Sequence, residues 1–171
     1  MNIRALCSVF FLALPAAAQH TDRGKPPEPL PAQRIRLALS STSAFGVSNA
    51  GFFNQLVGPR FDYRFTRRFA LGGALAYANL KGREGRAHNA LPEAMLEYRV
   101  PITDDSFGAP LRFAGGFLPR NGPTLRLSAG LDFAFSDHFS VELIPLEPMI
   151  WVTRERPEVS LNASLALRVA P

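Results

Sequence analysis

The chain has 171 residues, 47% of them hydrophobic, with 19 Lys and Arg against 14 Asp and Glu and a formal net charge of +5. That excess is too small and too dispersed for a nucleic-acid surface. The single cysteine, Cys7, excludes an internal disulfide framework and a thiolate metal site.

Residues 1–4 form a basic start ending at Arg4, residues 5–14 are predominantly apolar, Pro15 breaks the run, and Ala16, Ala17 and Ala18 follow. This is the order of a secretory signal peptide, with cleavage expected after Ala18. The apolar run is too short to cross a bilayer as a helix, which needs ~20 residues. Cleavage removes Cys7 and Arg4, leaving 18 basic residues against 14 acidic ones, or +4. An exported domain without disulfides must be held by its core or by a bilayer. Residues 19–33 are polar and carry Pro26, Pro27, Pro29 and Pro31, the composition of an extended tether. A single domain is expected over residues 34–170.

From Arg34 onward the hydrophobic period is two. Ile35, Leu37 and Leu39 alternate with Arg34, Arg36, Ala38 and Ser40. Over residues 57–65, Val57, Phe61, Tyr63 and Phe65 share a face against Gly58, Arg60, Asp62 and Arg64. Over 92–100, Ala94, Leu96, Tyr98 and Val100 oppose Glu93, Met95, Glu97 and Arg99. Residues 125–135 and 159–169 repeat the pattern, with Arg126, Asp132 and Arg168 on their polar faces. Such alternation marks strands with one apolar and one polar face. Segments 69–80, 111–118 and 139–152 are less regular and complete a set of eight. Pro145 and Pro148 interrupt the seventh segment, and the apolar phase slips from Val141 and Leu143 to Ile144 and Leu146. A bulge near Pro145 accounts for this, with a shorter strand as the alternative.

No stretch after residue 18 is long and apolar enough for a transmembrane helix; the longest, 69–78, contains two glycines. A membrane location therefore requires a closed barrel, the other fold that satisfies every backbone group in lipid. The expected connections are 46–55, 81–90, 119–123 and 153–157 after odd strands, and 66–68, 101–110 and 136–138 after even ones. An up-and-down barrel with a periplasmic N-terminus has four external loops and three periplasmic turns. Loop 81–90 carries Lys81, Arg83, Glu84, Arg86 and His88 between glycines and is expected to be mobile; Arg154, Glu155 and Arg156 occupy another external loop. Segment 63–71 parallels segment 133–141, each with aromatics bracketing a polar turn. Tyr63, Phe65, Phe69, Tyr98, Phe133, Phe135 and Phe139 are the candidate interfacial girdle.

On the run Gly58-Pro-Arg-Phe-Asp-Tyr-Arg-Phe-Thr-Arg-Arg-Phe-Ala-Leu-Gly-Gly73, and on Leu125-Arg-Leu-Ser-Ala-Gly-Leu-Asp-Phe-Ala-Phe-Ser-Asp-His-Phe139, the chain resembles the small outer-membrane β-barrel family that includes OmpA-, OmpX- and OmpW-like proteins. The resemblance covers residues 34–169. It implies an all-β, transmembrane, antiparallel up-and-down β-barrel of eight strands in the cell outer membrane. Its implied partners are outer-membrane lipid, lipopolysaccharide and the barrel-assembly machinery, and nucleic acid is not among them. One departure is the end, Arg168-Val169-Ala170-Pro171, where many members carry an aromatic residue that aids assembly.

The candidate barrel-interior charges are Arg60, Asp62, Arg64, Glu93, Glu97, Arg99, Arg126, Asp132 and Glu142. In a barrel of eight strands, side chains fill the interior, so mixed charges are expected to pair into a plug rather than line a solute path. No metal-ligand cluster and no phosphate loop is legible, and no cofactor is expected. His138 and Ser140 have a spacing seen in outer-membrane lipid A deacylases, but His138 falls in an expected periplasmic turn, so no enzyme activity is expected. The function expected is structural, surface-contact or minor small-solute permeability. A soluble lipocalin-like ligand-binding barrel is the alternative and an outer-membrane lipid-modifying enzyme the third. The first two differ in which face points inward.

Overall fold

The computed structural model describes residues 34–47, 52–82, 85–103, 106–119, 122–152 and 157–171. The signal peptide and tether expected over 1–33 lie outside them, as do Arg83, Glu84, Arg154, Glu155 and Arg156. Eight strands follow in order: β1 (Ile35–Gly46), β2 (Phe53–Arg64), β3 (Phe69–Gly82), β4 (Gly85–Thr103), β5 (Phe107–Leu118), β6 (Gly122–Ala134), β7 (Phe139–Val152) and β8 (Pro157–Val169). Each pairs antiparallel with its neighbours in sequence, and β1 pairs with β8, so the sheet closes. Closure leaves no free edge, which is what permits a sheet to sit in lipid.

The alternation read from the sequence now has a direction. Outward residues are apolar, as with Leu39 at 58% and Leu165 at 50% exposure, whereas inward ones include Arg168 at 2% and Glu142 at 1%. This is the reverse of a lipocalin-like barrel, whose apolar residues would point inward. The apolar wall has an aromatic belt at each end. Tyr63, Phe65, Phe69, Phe133, Phe135 and Phe139 are exposed at the end of the tight turns, with Tyr98 partly covered beside them. Phe69 packs against Tyr98 at 4.9 Å, and Phe107, which the sequence reading did not single out, stacks on Phe133 at 4.6 Å. At the other end Phe45, Phe53, Tyr77 and Phe117 are exposed. Along strands rising ~3.3 Å per residue and tilted ~40°, these belts stand roughly 20–30 Å apart. That spacing brackets the apolar band of a transmembrane barrel.

The two tight turns share one construction. Phe65 N–H donates to Phe69 O at 3.2 Å, and Phe135 N–H donates to Phe139 O at 2.9 Å. Thr66 Oγ1 accepts from Phe69 N–H at 2.9 Å, and Ser136 Oγ accepts from Phe139 N–H at 3.1 Å. The likeness between the two sequence segments is thus a likeness of turn chemistry, a hydroxyl side chain standing in for a ladder bond.

Two expectations about the connections change, and the bulge expected in the seventh strand is present. The loop expected over 81–90 is mostly strand: Lys81 pairs with Arg86 and Gly82 with Gly85, so the β3–β4 hairpin is ordered almost to its tip. Gly85 starts β4 at φ 123°, a conformation that glycine adopts without strain. The long 101–110 connection shrinks because β4 runs to Thr103 and β5 starts at Phe107, with an irregularity between Pro101 and Thr103. In β7 the register with β8 shifts between Ile144 and Glu147, and the strand continues to Val152. This is a bulge at Pro145 and Leu146, not a shortened strand. It lets proline sit where no ladder donor is required and returns Glu147 to the interior.

Candidate functional site: the barrel interior

The interior has a charged part toward the tight turns and an apolar part toward the loops. Alternation alone places Arg60, Asp62 and Arg64 on one inward row of β2, Glu93, Glu97 and Arg99 on β4, and Asp132 on β6, all buried. Arg126 also points inward, with its side chain 12% exposed. The structure adds Arg36, Arg112, Glu147 and Arg168, which the sequence reading did not include in this group. Arg112 had a visible signal, standing between Leu111 and Phe113. Glu147 had none until the bulge resets the phase of β7.

Glu142 is the hub. Arg60 Nη1 donates to its Oε1 at 3.1 Å, and Arg112 and Arg168 also donate to it. Glu97 accepts from Arg112 Nε at 2.7 Å and from Arg168 Nη2 at 3.0 Å. Arg60 Nε donates to Asp62 at 3.1 Å. Asp132 Oδ2 lies 3.2 Å from Arg168 Nη1, 3.3 Å from Arg99 Nη2 and 3.9 Å from Arg36 Nη1, yet neither of its oxygens accepts a well-aligned hydrogen bond. Nearer the middle of the barrel, Arg126 bridges Glu147, at 3.1 Å, and Glu93. Ser164 Oγ lies 2.7 Å from Thr42 Oγ1 and donates to Glu147 at 3.3 Å. Arg64 donates to the Arg67 carbonyl oxygen at the turn.

These contacts cross the lumen rather than follow one wall. A buried charge is tolerable when paired and hydrogen-bonded, and the planar guanidinium can serve two or three carboxylates at once. Inward glycines provide the room: a Cβ on Gly72 would strike Asp62, and one on Gly116 would come within 2.8 Å of the Glu93 side chain.

Toward the loops, Leu56, Leu80, Leu91, Leu118, Met149 and Trp151 fill the interior, with Ala44, Ala76 and Ala78 between them. Phe52 packs edge-on against Trp151 at 6.3 Å. Trp151 Nε1 donates to Ser160 Oγ at 2.8 Å, which donates in turn to Asn162. Between the charged and apolar parts, Arg60, Arg126, Glu142, Ile144 and Glu147 bound a cavity of about 20 Å³. That is room for one or two waters and for no solute.

His138 and Ser140 lie at the β6–β7 turn. The His138 ring nitrogen Nδ1 donates to the Ala170 carbonyl oxygen at 2.9 Å, and Ala170 N–H donates to His138 O at 2.8 Å. Among the described residues no group of three or more His, Cys, Asp or Glu is arranged to hold a metal ion.

No protein-family model matches the sequence, and comparison with curated proteins finds no relative. Solved structures do match. Neisserial surface protein A superposes with a TM-score of 0.51 at 16% identity, over 80% of this chain and 97% of that one. A de novo designed transmembrane β-barrel gives 0.52 at 10% identity, over 83% and 98%. The fold is that of the small eight-stranded outer-membrane barrels. The N-terminal barrel domain of Pseudomonas aeruginosa OprF also matches, at 13% identity over 78% of this chain and 96% of that one, with a TM-score of 0.48. At these identities the likeness is one of architecture. An outer-membrane barrel scaffold and a designed one share it equally, so function must be argued from this chain's own surfaces.

Proposed function

We propose that this protein is an exported outer-membrane barrel, cleaved after Ala18, that acts through its outer and external surfaces, in a structural or surface-contact role, with its lumen closed. The observation that carries the reading is the convergence of Arg60, Arg112 and Arg168 on Glu142, from β2, β5, β8 and β7, with the apolar plug around Trp151 behind it. A solute would have to separate paired charges in a low-dielectric interior, a step that costs several kcal/mol, and then pass the Leu56, Leu118, Met149 and Trp151 side chains. Its partners in this reading are outer-membrane lipid, lipopolysaccharide and the barrel-assembly machinery. The reading assigns no enzyme activity. Planar-bilayer recording tests closure: folded monomer, shown inserted by its heat-modifiable gel mobility, should give no stable conductance. Large, steady steps from wild-type monomer would reject the closed lumen.

A further inference from the structure

The apolar packing at the loop end of the lumen is not flush with the strand ends. A cavity of about 60 Å³ opens there, with Phe52, Leu80, Leu118, Trp151 and the hydroxyl-bearing Thr124 in its lining. Gly122, the first residue of β6, and Val152, the last of β7, also border it, which puts it at the loop-side mouth of the barrel. By the measure of one water per 10–15 Å³, the volume is room for about four to six waters, the scale of a single-ring or short-chain molecule. Deeper in the barrel lie Leu56, Leu91 and Met149, and then the arginines gathered on Glu142. The cavity is therefore a cup, not a passage.

Thr124 and Trp151 stand opposite each other in the β6–β7 ladder, both buried, and opposite residues adjoin on one face. Their polar atoms are in different states. Trp151 Nε1 is committed, donating to Ser160 Oγ at 2.8 Å. Thr124 Oγ1 is buried and meets no hydrogen-bond partner among the described residues. A buried hydroxyl without a partner is costly, and that of threonine can both donate and accept. The Phe52 ring meets Trp151 edge-on at 6.3 Å, so the cup has aromatic walls beside an unmet hydroxyl.

We propose that this cup binds a small uncharged molecule with an apolar body and one hydrogen-bonding oxygen, of the class of a phenol or a short-chain alcohol. The apolar body packs against Phe52, Leu118 and Trp151, and the oxygen pairs with Thr124 Oγ1. Small-molecule sites commonly have this make-up, an apolar lining with few polar groups that fix orientation. An ionic group pressed against the same rings would be desolvated at high cost. The inference goes beyond the surface role: the ligand enters from the loop side and leaves by the same route, so the lumen stays closed.

The test uses the mature chain in phosphatidylcholine nanodiscs and reads the fluorescence of Trp151, the only tryptophan. Phenol is the probe. Toluene, which has the ring without the oxygen, and a membrane-soluble tryptophan analogue in the same nanodiscs are the controls. Phenol should change the Trp151 signal saturably. Thr124→Val should bind phenol about 5–10-fold more weakly, the loss of one hydrogen bond, and should bind toluene as the wild type does. Thr124→Ser keeps the hydroxyl and should stay within about threefold of wild type for phenol. Both variants should keep the heat-modifiable gel mobility, because the hydroxyl has no partner to lose. An absent or unsaturable response, or an equal response from the analogue, would show partition into lipid and overturn the site. Equal phenol binding by wild type and Thr124→Val would overturn it too. Loss of the folded band in Thr124→Val would show that the hydroxyl already serves the fold, and would also overturn it.

Discussion

Arg60 on β2 and Glu142 on β7 are 82 residues apart in the chain and 3.1 Å apart in space, joined across the lumen of a closed sheet. Their contact ties strands that share no ladder, so the charged interior braces the barrel from within as well as closing it.

Glu142→Gln removes the carboxylate charge that accepts hydrogen bonds from Arg60, Arg112 and Arg168. Leaving a buried pair broken costs about 3–5 kcal/mol. Urea unfolding in lipid vesicles, followed by tryptophan fluorescence of Trp151, should show that loss.

Asp132→Asn should cost clearly less than Glu142→Gln in the same assay. Asp132 is near three arginines but accepts no well-aligned hydrogen bond from them, whereas Glu142 does. A carboxylate held by charge alone loses less when neutralised than one whose hydrogen bonds are also broken. Equal losses at the two positions would show that alignment is unimportant in this lumen.

Leu165→Arg places a charge on the outer wall in the middle of β8. In a bilayer this should destabilise by about 2–4 kcal/mol, against a smaller loss for Leu165→Ala. In a water-exposed position the arginine would be nearly neutral, so the ratio between the two variants reports the solvent of that face.

An epitope tag between Arg83 and Glu84, at the tip of the β3–β4 hairpin, should be reached by antibody on intact cells. A tag in the 66–68 turn should need permeabilised cells. The reverse pattern would invert the orientation while leaving the barrel intact.

Most of the architecture was legible because a barrel wall separates two solvents, lipid outside and paired charge inside, and a period of two records that separation directly. Strands with unbroken alternation, such as β2 and β8, therefore revealed both their existence and their polar faces. Four features escaped for physical reasons. Glu147 lies beyond a bulge that reverses the phase of β7, so its inward direction depends on locating the extra residue. Leu56, Leu80, Leu91 and Leu118 are inward and apolar, and a rule that assigns apolar residues to the lipid face cannot find them. Of the second aromatic belt, at Phe45, Phe53, Tyr77 and Phe117, Phe53 was hidden because β2 begins within what composition marked as a connection. The ion pairs themselves depend on which strands face one another across the lumen, which alternation within a strand does not encode.

The most direct test of the account is fractionation of cells expressing the full chain from its own start. The mature protein should appear in the outer-membrane fraction, resist extraction by urea, and require detergent for release. Its gel mobility should shift on boiling. Recovery of the mature protein in periplasmic extract without detergent would contradict a barrel with Leu39, Leu165 and their neighbours facing lipid.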